Sequence, residues 1–327
     1  MRAPAFWSQS SLLSDLLLPA GDLYAAAGWL RGRRARPQRA PVPVICVGNL
    51  VAGGAGKTPT ALALLERLKD RGLRPAALLR GYGGTLAGPV KVALDSHGPE
   101  EVGDEALLLA CAAPTWVARD RVAGARAAAA EGANVLVLDD GFQNPHLAKD
   151  LSLLVLDGET GLGNGRVIPA GPLREPARRG IARADALVIL GEDRHGLAHL
   201  AAGKPVLRAQ VQPRAGLELP ARRLLAFAGI GRPAKFFATL ERLGGELTAT
   251  AEFADHHPFT AAELQTLERR AVQQRAALIT TEKDAVRLPP GWRGRVAILP
   301  VELSFAEPRR LDALLDRVLP AGSVPDA

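Results

Sequence analysis

Between Gly48 and Thr58 the chain reads Gly-Asn-Leu-Val-Ala-Gly-Gly-Ala-Gly-Lys-Thr, preceded by the apolar run Val44 to Val47 and followed by a helical pattern. The order strand, glycine loop, helix suits an anion. Glycines let successive backbone N–H groups curl round a phosphate, and the helix N-terminus adds partial positive charge. On this reading Gly53, Gly54, Ala55 and Gly56 cradle the phosphates of ATP, Lys57 holds the β- and γ-phosphates, and the Thr58 hydroxyl ligates Mg2+. The fuller consensus has a glycine where Val51 stands, with Gly53 and Gly54 shifted within the loop, while Gly-Lys-Thr is intact. The competing explanation, a structural turn, does not account for the buried strand before it and the helix after it.

A second set of groups lies at Asp139-Asp140-Gly141, where the run Val135 to Leu138 delivers carboxylates at a strand's C-terminal edge. Phosphate and metal gather at that edge in open α/β sheets, so Asp139 or Asp140 is expected to bind Mg2+ directly or through water. A turn in which the aspartates cap the next segment is the alternative.

Three weaker constellations stand apart. Asp104, in Gly103-Asp104-Glu105, is either a reactive carboxylate or an acid favoured by a helix N-terminus. Arg174, between Pro172 and Pro176, is either a surface arginine or a cation placed to stabilise a transferring phosphoryl group. His256, in Asp255-His256-His257, precedes a capping-box spacing at Thr260 to Glu263 that explains the neighbourhood without chemistry, but not two adjacent histidines. A histidine there could polarise a carboxylate base if two domains close over one cleft. Thr281-Glu282-Lys283-Asp284 follows a strand and is given no role.

The elements that must position these groups alternate. Apolar runs at Val42 to Val47, Ala76 to Leu79, Thr115 to Ala118, Val135 to Leu138, Leu151 to Leu156 and Ala186 to Leu190 lack period-two alternation, as strands buried on both faces do, and Val206 to Val211 follows them. Helical stretches at Thr60 to Lys69, Asp104 to Cys111 and Val122 to Glu131 lie between them. The expected fold is α/β, a doubly wound, mostly parallel sheet over 41–215. Past a Pro- and Arg-containing stretch a second, smaller α/β domain is expected over 216–327, with strands at Leu224 to Gly229, Ala277 to Thr280 and Val296 to Val301 and helices at Pro233 to Leu243 and Ala262 to Gln273.

The 327 residues, nearly half hydrophobic, suffice for one or two cores. Cys46 and Cys111 have no metal or redox spacing, which argues against a disulfide framework and favours a reducing compartment. A formal charge of +7 suits any polyanion and chooses none. The first 40 residues say more. Phe6, Trp7, Leu12, Leu13, Leu16 to Leu18, Leu23, Tyr24, Trp29 and Leu30 precede Arg31, Arg33, Arg34, Arg36 and Arg39. A secretory signal has the opposite polarity, and Asp15, Pro19 and Asp22 interrupt what a spanning helix would need. An interfacial segment fits better: apolar side chains enter the headgroup boundary and arginines meet anionic lipid. A helix packed on the domain is the plain alternative.

Taken together, Val47-Gly48-Asn49-Leu50 leading into Gly53 to Pro59, Leu79-Arg80-Gly81-Tyr82-Gly83, Val102 to Glu105, Asp139-Asp140-Gly141-Phe142-Gln143, Pro169 to Glu175 and Asp255-His256-His257 resemble the lipid A 4'-kinase family of P-loop NTPases, over most of the chain. The resemblance implies that Asp104 acts as general base toward a sugar hydroxyl with support from His256. It implies that Asp139 and Asp140 manage Mg2+ and the attacking group, and that Tyr82, Asp140, Arg174 and Glu175 surround substrate and phosphates. The implied acceptor is a tetraacylated glucosamine disaccharide 1-phosphate, met by a monomer at the cytoplasmic face of the bacterial inner membrane, with no nucleic-acid partner. One departure is Ala55, where the family usually carries Ser or Thr, so a hydroxyl contact to phosphate is absent. Two rival functions keep the same loop: a membrane-associated ATPase switch of the partitioning or targeting kind, and a soluble ATP-dependent ligase or synthetase.

Overall fold

The computed structural model describes residues 4–319, so the outermost residues of the expected segments 1–40 and 216–327 lie outside it. Two short helices come first, α1 (Leu12–Leu16) and α2 (Leu18–Arg34). The main sheet is then built from β1 (Val44–Gly48), α3 (Lys57–Asp70), β2 (Pro75–Leu79), β3 (Val90–Lys91), α4 (Pro99–Val102), α5 (Asp104–Ala110), β4 (Thr115–Val117), α6 (Arg121–Ala130), β5 (Val135–Asp139), β6 (Leu151–Asp157), α7 (Ala177–Arg183), β7 (Ala186–Leu190) and β8 (Val206–Pro213). A smaller unit follows, comprising β9 (Arg223–Ala228), α8 (Pro233–Arg242), β10 (Glu246–Glu252), α9 (Ala261–Gln273), β11 (Ala277–Thr281), α10 (Glu282–Ala285) and β12 (Ala297–Leu299). The chain then returns through β13 (Val301–Phe305) and α11 (Pro308–Leu315).

The large sheet has nine strands in the order β13-β8-β7-β6-β1-β5-β2-β4-β3, parallel from β8 through β4 with an antiparallel strand at each edge. Every residue of β1, β2, β5, β6 and β7 is buried. Alternate side chains feed two cores: Ile45 and Val47 pack with Leu64, Leu65 and Leu68 of α3, whereas Val44 and Cys46 pack with Val122 and Ala125 of α6. Each such leucine contributes about 2 kcal/mol of transfer free energy, which is why these apolar strands settle between helical layers instead of at an edge.

The smaller unit is a four-stranded parallel sheet, β10-β9-β11-β12. Its end differs from the sequence expectation. The run Val296 to Val301 is not one strand, and 301–319 do not belong to the smaller unit: β12 stops at Leu299, and β13 pairs with β8, Val301 opposite Pro213. Pro300 sits at the change, lacking the N–H that a continuous ladder would use. Leu311, Leu314 and Leu315 of α11 then bury themselves in the large core.

The two units also meet through charge, since Arg232 pairs with Asp157 and, at 2.9 Å, with Glu159, which Lys235 reaches at 3.1 Å.

The N-terminal helices dock by their small and polar face. Gly21 lies against the Val167 carbonyl, the Trp7 Nε1–H donates to the Pro169 carbonyl at 3.1 Å, and Arg166 donates to Ser14 Oγ at 2.7 Å while pairing with Asp15. Leu12, Leu16 and Leu23 are left 89 %, 78 % and 73 % exposed. Among the described residues no helix is long and apolar enough to cross a membrane.

Candidate active site

β1 ends at Gly48 and the chain turns through Asn49 to Gly56 before α3 begins at Lys57. The buried Asn49 side chain braces the turn, its Nδ2 donating to the Val51 carbonyl at 2.7 Å. Gly56 has φ +80°, a backbone conformation that favours glycine, and a Cβ there would displace the Leu190 Cδ1 methyl, 2.1 Å away. Ala55 is buried beside it. The outer limb of the loop is held by a segment distant in sequence: Ala52 N–H donates to the Pro172 carbonyl at 2.8 Å, and Arg174 N–H to the Leu50 carbonyl at 2.7 Å. That pairing, more than the flanking prolines, fixes Arg174.

Lys57 and Thr58 are both buried at the start of α3. Thr58 Oγ1 donates to Asp139 Oδ2 at 3.2 Å. Asp140, in the left-handed region at φ +51°, turns its carboxylate between two cations: Arg174 Nη1 lies 2.9 and 3.0 Å from its oxygens, and Lys57 Nζ lies 3.7 Å away. The glycine loop and the aspartate pair therefore converge.

Asp139 is the most constrained of these groups. Burial first, then the neighbouring carboxylates Glu105 and Asp140, push it up to about 8 against the relief given by Lys57 and Thr58. Its Oδ1 is buried without a hydrogen-bond partner. An acidic pocket with an orphaned oxygen beside a hydroxyl is a donor set that fits Mg2+. Among the described residues no three His, Cys, Asp or Glu side chains form an all-protein metal cage. Mg2+ does not ask for one, because it takes one or two carboxylates and completes its shell with water and phosphate oxygens.

The second cluster is Asp104 with His256. Asp104 opens α5, its Oδ1 accepting the Glu105 N–H at 3.0 Å, and His256 Nδ1 lies 2.7 Å from Asp104 Oδ2. His256 comes from the turn after β10, in the smaller unit, at φ +61°. Burial raises the Asp104 carboxyl, but the hydrogen bond and charge of His256, with Lys283 and Arg287, outweigh it and hold it below the ordinary value. Glu105 ties the clusters together, lying in the fields of Lys57 and Asp139. Burial pushes its own carboxyl up.

The sequence matches the family described as Tetraacyldisaccharide-1-P 4'-kinase over residues 13–320. It is 59 % identical over 327 residues to the tetraacyldisaccharide 4'-kinase of Rhodospirillum centenum, covering 98 % of this chain and 97 % of that one. The chain belongs to the tetraacyldisaccharide 4'-kinase family. It is thus similar to kinases along almost its whole length, including the Paramagnetospirillum magneticum member, 54 % identical over 97 % of this chain and 99 % of that one. The structure superposes on LpxK from Aquifex aeolicus, described as an "apo" form in complex with ATP, with a TM-score of 0.78 and 30 % identity over 94 % of this chain and 100 % of that one.

Within this kinase fold the residues singled out from sequence fall into two clusters and a periphery. Lys57, Thr58, Asp139, Asp140 and Arg174 come together, and so do Asp104 and His256. Tyr82 lies beside the start of α5, its carbonyl oxygen against Gly103, and is 78 % exposed. Glu175 turns to other partners, accepting from Gln143 Nε2 at 3.2 Å and pairing with Arg183 at 2.5 Å. Arg287 was missed, and Lys283 was noted without a role. Lys283 Nζ lies 3.2 Å from His256 Nε2, and Arg287 Nη1 lies 3.7 Å from Asp104 Oδ2. The basic residues of 283–287 directly after an apolar strand were the signal available.

Proposed function

We propose that the chain transfers the γ-phosphate of ATP to the 4'-hydroxyl of a tetraacylated glucosamine disaccharide 1-phosphate, giving the 1,4'-bisphosphorylated lipid A precursor. The observation that carries this reading is the Asp104–His256 pair, a base reaching from one unit to the other beside a phosphate-binding loop. The ATP complex of the Aquifex aeolicus relative supports the choice of nucleotide.

The backbone of Gly53 to Gly56 binds the phosphates, and Lys57 keeps the β- and γ-oxygens aligned. Arg174 offsets charge that develops on the transferring group, releasing Asp140 as it does so. Asp104 accepts the proton of the acceptor hydroxyl, and His256 keeps its carboxylate oriented. Thr58, Asp139 and Asp140 would hold Mg2+, which would supply positive charge to offset that of the phosphates. Tyr82 and Glu175 are assigned to the acceptor side of the cleft.

The acceptor keeps its acyl chains in a bilayer, so the monomer is proposed to dock at the cytoplasmic face of the inner membrane through α1 and α2, with Arg31, Arg33 and Arg34 meeting anionic lipid. Serine at Leu12, Leu16 and Leu23 together is expected to lower partitioning onto anionic vesicles by about 100-fold, since each leucine replaced forfeits about 1 kcal/mol of partial burial at the headgroup boundary. Binding of ATP should not change. Sedimentation with vesicles and nucleotide titration read the two separately.

The function itself is tested by incubating the purified chain with labelled ATP and the disaccharide 1-phosphate in mixed micelles, then mapping the new phosphate. Label on the 4'-oxygen is the expected product. Hydrolysis stimulated by a protein partner, with no phospholipid formed, would favour the ATPase switch instead.

A further inference from the structure

We propose that Arg287 is a positioning residue for Asp104, fixing its carboxylate from the smaller unit. The proposal rests on the reading of Asp104 as the base and extends it to the group that holds the base in place.

Four observations converge on it. The Arg287 side chain is only 4 % exposed, and such a cation must be compensated where it lies. Its compensation is divided: Asp284, fully buried on α10, pairs with it directly, and Asp104 Oδ2 lies 3.7 Å from Nη1. Asp284 is itself fixed, accepting the Gly229 N–H at 3.0 Å and the Thr281 hydroxyl at 2.6 Å. One carbonyl joins the two groups that face Asp104, since Gly229 O accepts Arg287 Nη2 at 3.0 Å and the His256 backbone N–H at 3.1 Å.

The guanidinium and the imidazole are therefore parts of one rigid assembly, presented together by the loop after β9 and by α10. The charged groups facing Asp104 are His256, Lys283 and Arg287 from the smaller unit and Glu105 beside it. Of the three groups that the smaller unit presents, only Arg287 is both buried and braced by a carboxylate of its own unit. Lys283 is part exposed and shares Asp255. Arg287 Nε and Nη1 have no hydrogen-bond partner. At 3.7 Å the contact to Asp104 is an ion pair that orients the carboxylate without taking the lone pair that the acceptor hydroxyl needs.

The test uses the full chain with Arg287→Met, Arg287→Lys and Asp284→Asn, each alone and the first also with Asp104→Asn. Arg287→Met is expected to lower kcat by about 10- to 100-fold with KM for ATP unchanged to about twofold, a loss confined to the reacting geometry. Arg287→Lys, which keeps the charge, should recover most of it. In the Asp104→Asn background, Arg287→Met should add little, because residues that act as one unit are not additive. A separate readout needs no turnover: the downfield imidazole N–H proton of the His256–Asp104 hydrogen bond should be present in the wild type, lost in Arg287→Met and kept in Arg287→Lys. If Arg287→Met does not fold, Asp284→Asn takes its place, with the same loss of kcat expected. An equal fall with Asp104 intact and in the Asp104→Asn background, or a retained N–H proton with unchanged kcat, overturns the proposal. A wild type that shows the N–H behaviour but phosphorylates no lipid would refute the kinase reading and leave the positioning role standing.

Discussion

Changing Asp104 to asparagine is expected to lower kcat for phosphoryl transfer by about 100- to 10,000-fold, the range that a positioned general base supplies. Affinity for ATP should stay close to wild type, because Asp104 contacts His256 and Arg287 and makes no hydrogen bond with the glycine loop. The side chain is nearly isosteric, and its Oδ1 can still accept the Glu105 N–H, so the start of α5 is preserved. Steady-state kinetics with the lipid acceptor, alongside nucleotide binding by calorimetry, separates the effects. A variant with full turnover would remove Asp104 from the chemistry. Its depressed pKa also sets a sign: the ionised form contributes stability above the unfolded value near 3.8, and that contribution is lost as pH falls through the lower folded value. Asparagine should therefore flatten the acid side of the stability curve in that window.

The second large effect is at Lys57. Methionine there keeps the length of the stem and removes the charge, and kcat/KM for ATP is expected to fall by about 1,000-fold, as when a fixed donor to transition-state charge is deleted. Unlike Asp104→Asn, this variant should also bind ATP less tightly, since Lys57 is proposed to meet phosphate in the ground state. It would also leave three carboxylates, Asp139, Asp140 and Glu105, with one cation fewer. Like charges so close oppose ionisation, and Asp139, already pushed up to about 8, should rise further. The check is calorimetric titration with MgATP and single-turnover kinetics. Unaltered binding and rate would take the loop out of the reaction.

Much of this architecture was legible in sequence because the signals are local. Val44 to Val47 followed by glycines and Lys57 is one continuous message, and so is Val135 to Leu138 ending in Asp139. The elements that escaped notice lack such a message. β10 reads Glu-Leu-Thr-Ala-Thr-Ala-Glu and lies at the edge of the smaller sheet, so its burial is partial and its apolar content low. β13 went unread apart from Val301, which was joined to the preceding strand, because nothing in Ala297 to Phe305 except Pro300 marks a change of sheet. The site followed the same rule. Asp104 and His256 were each ambiguous as residues alone and were paired only through the family resemblance, because 152 positions separate them in the chain. Arg287 was invisible for the same reason, since its meaning lies in Asp104, Asp284 and Gly229, three partners from three elements. Arg174 was singled out for its prolines, yet its position comes from pairing with Leu50.

The return of the chain through β13 has a bearing on biosynthesis. Because Val301 faces Pro213 across the ladder, the smaller unit is spliced into a loop between neighbouring strands, and both its ends leave from one edge of the nucleotide-binding sheet. During translation that edge stays open until the whole insert has left the ribosome, so β8 presents unpaired backbone to its surroundings throughout that interval. Residues made after the insert are thus the ones that seal the sheet, and a message truncated after β12 would yield a chain with every side chain assigned to the site present and an adhesive flank.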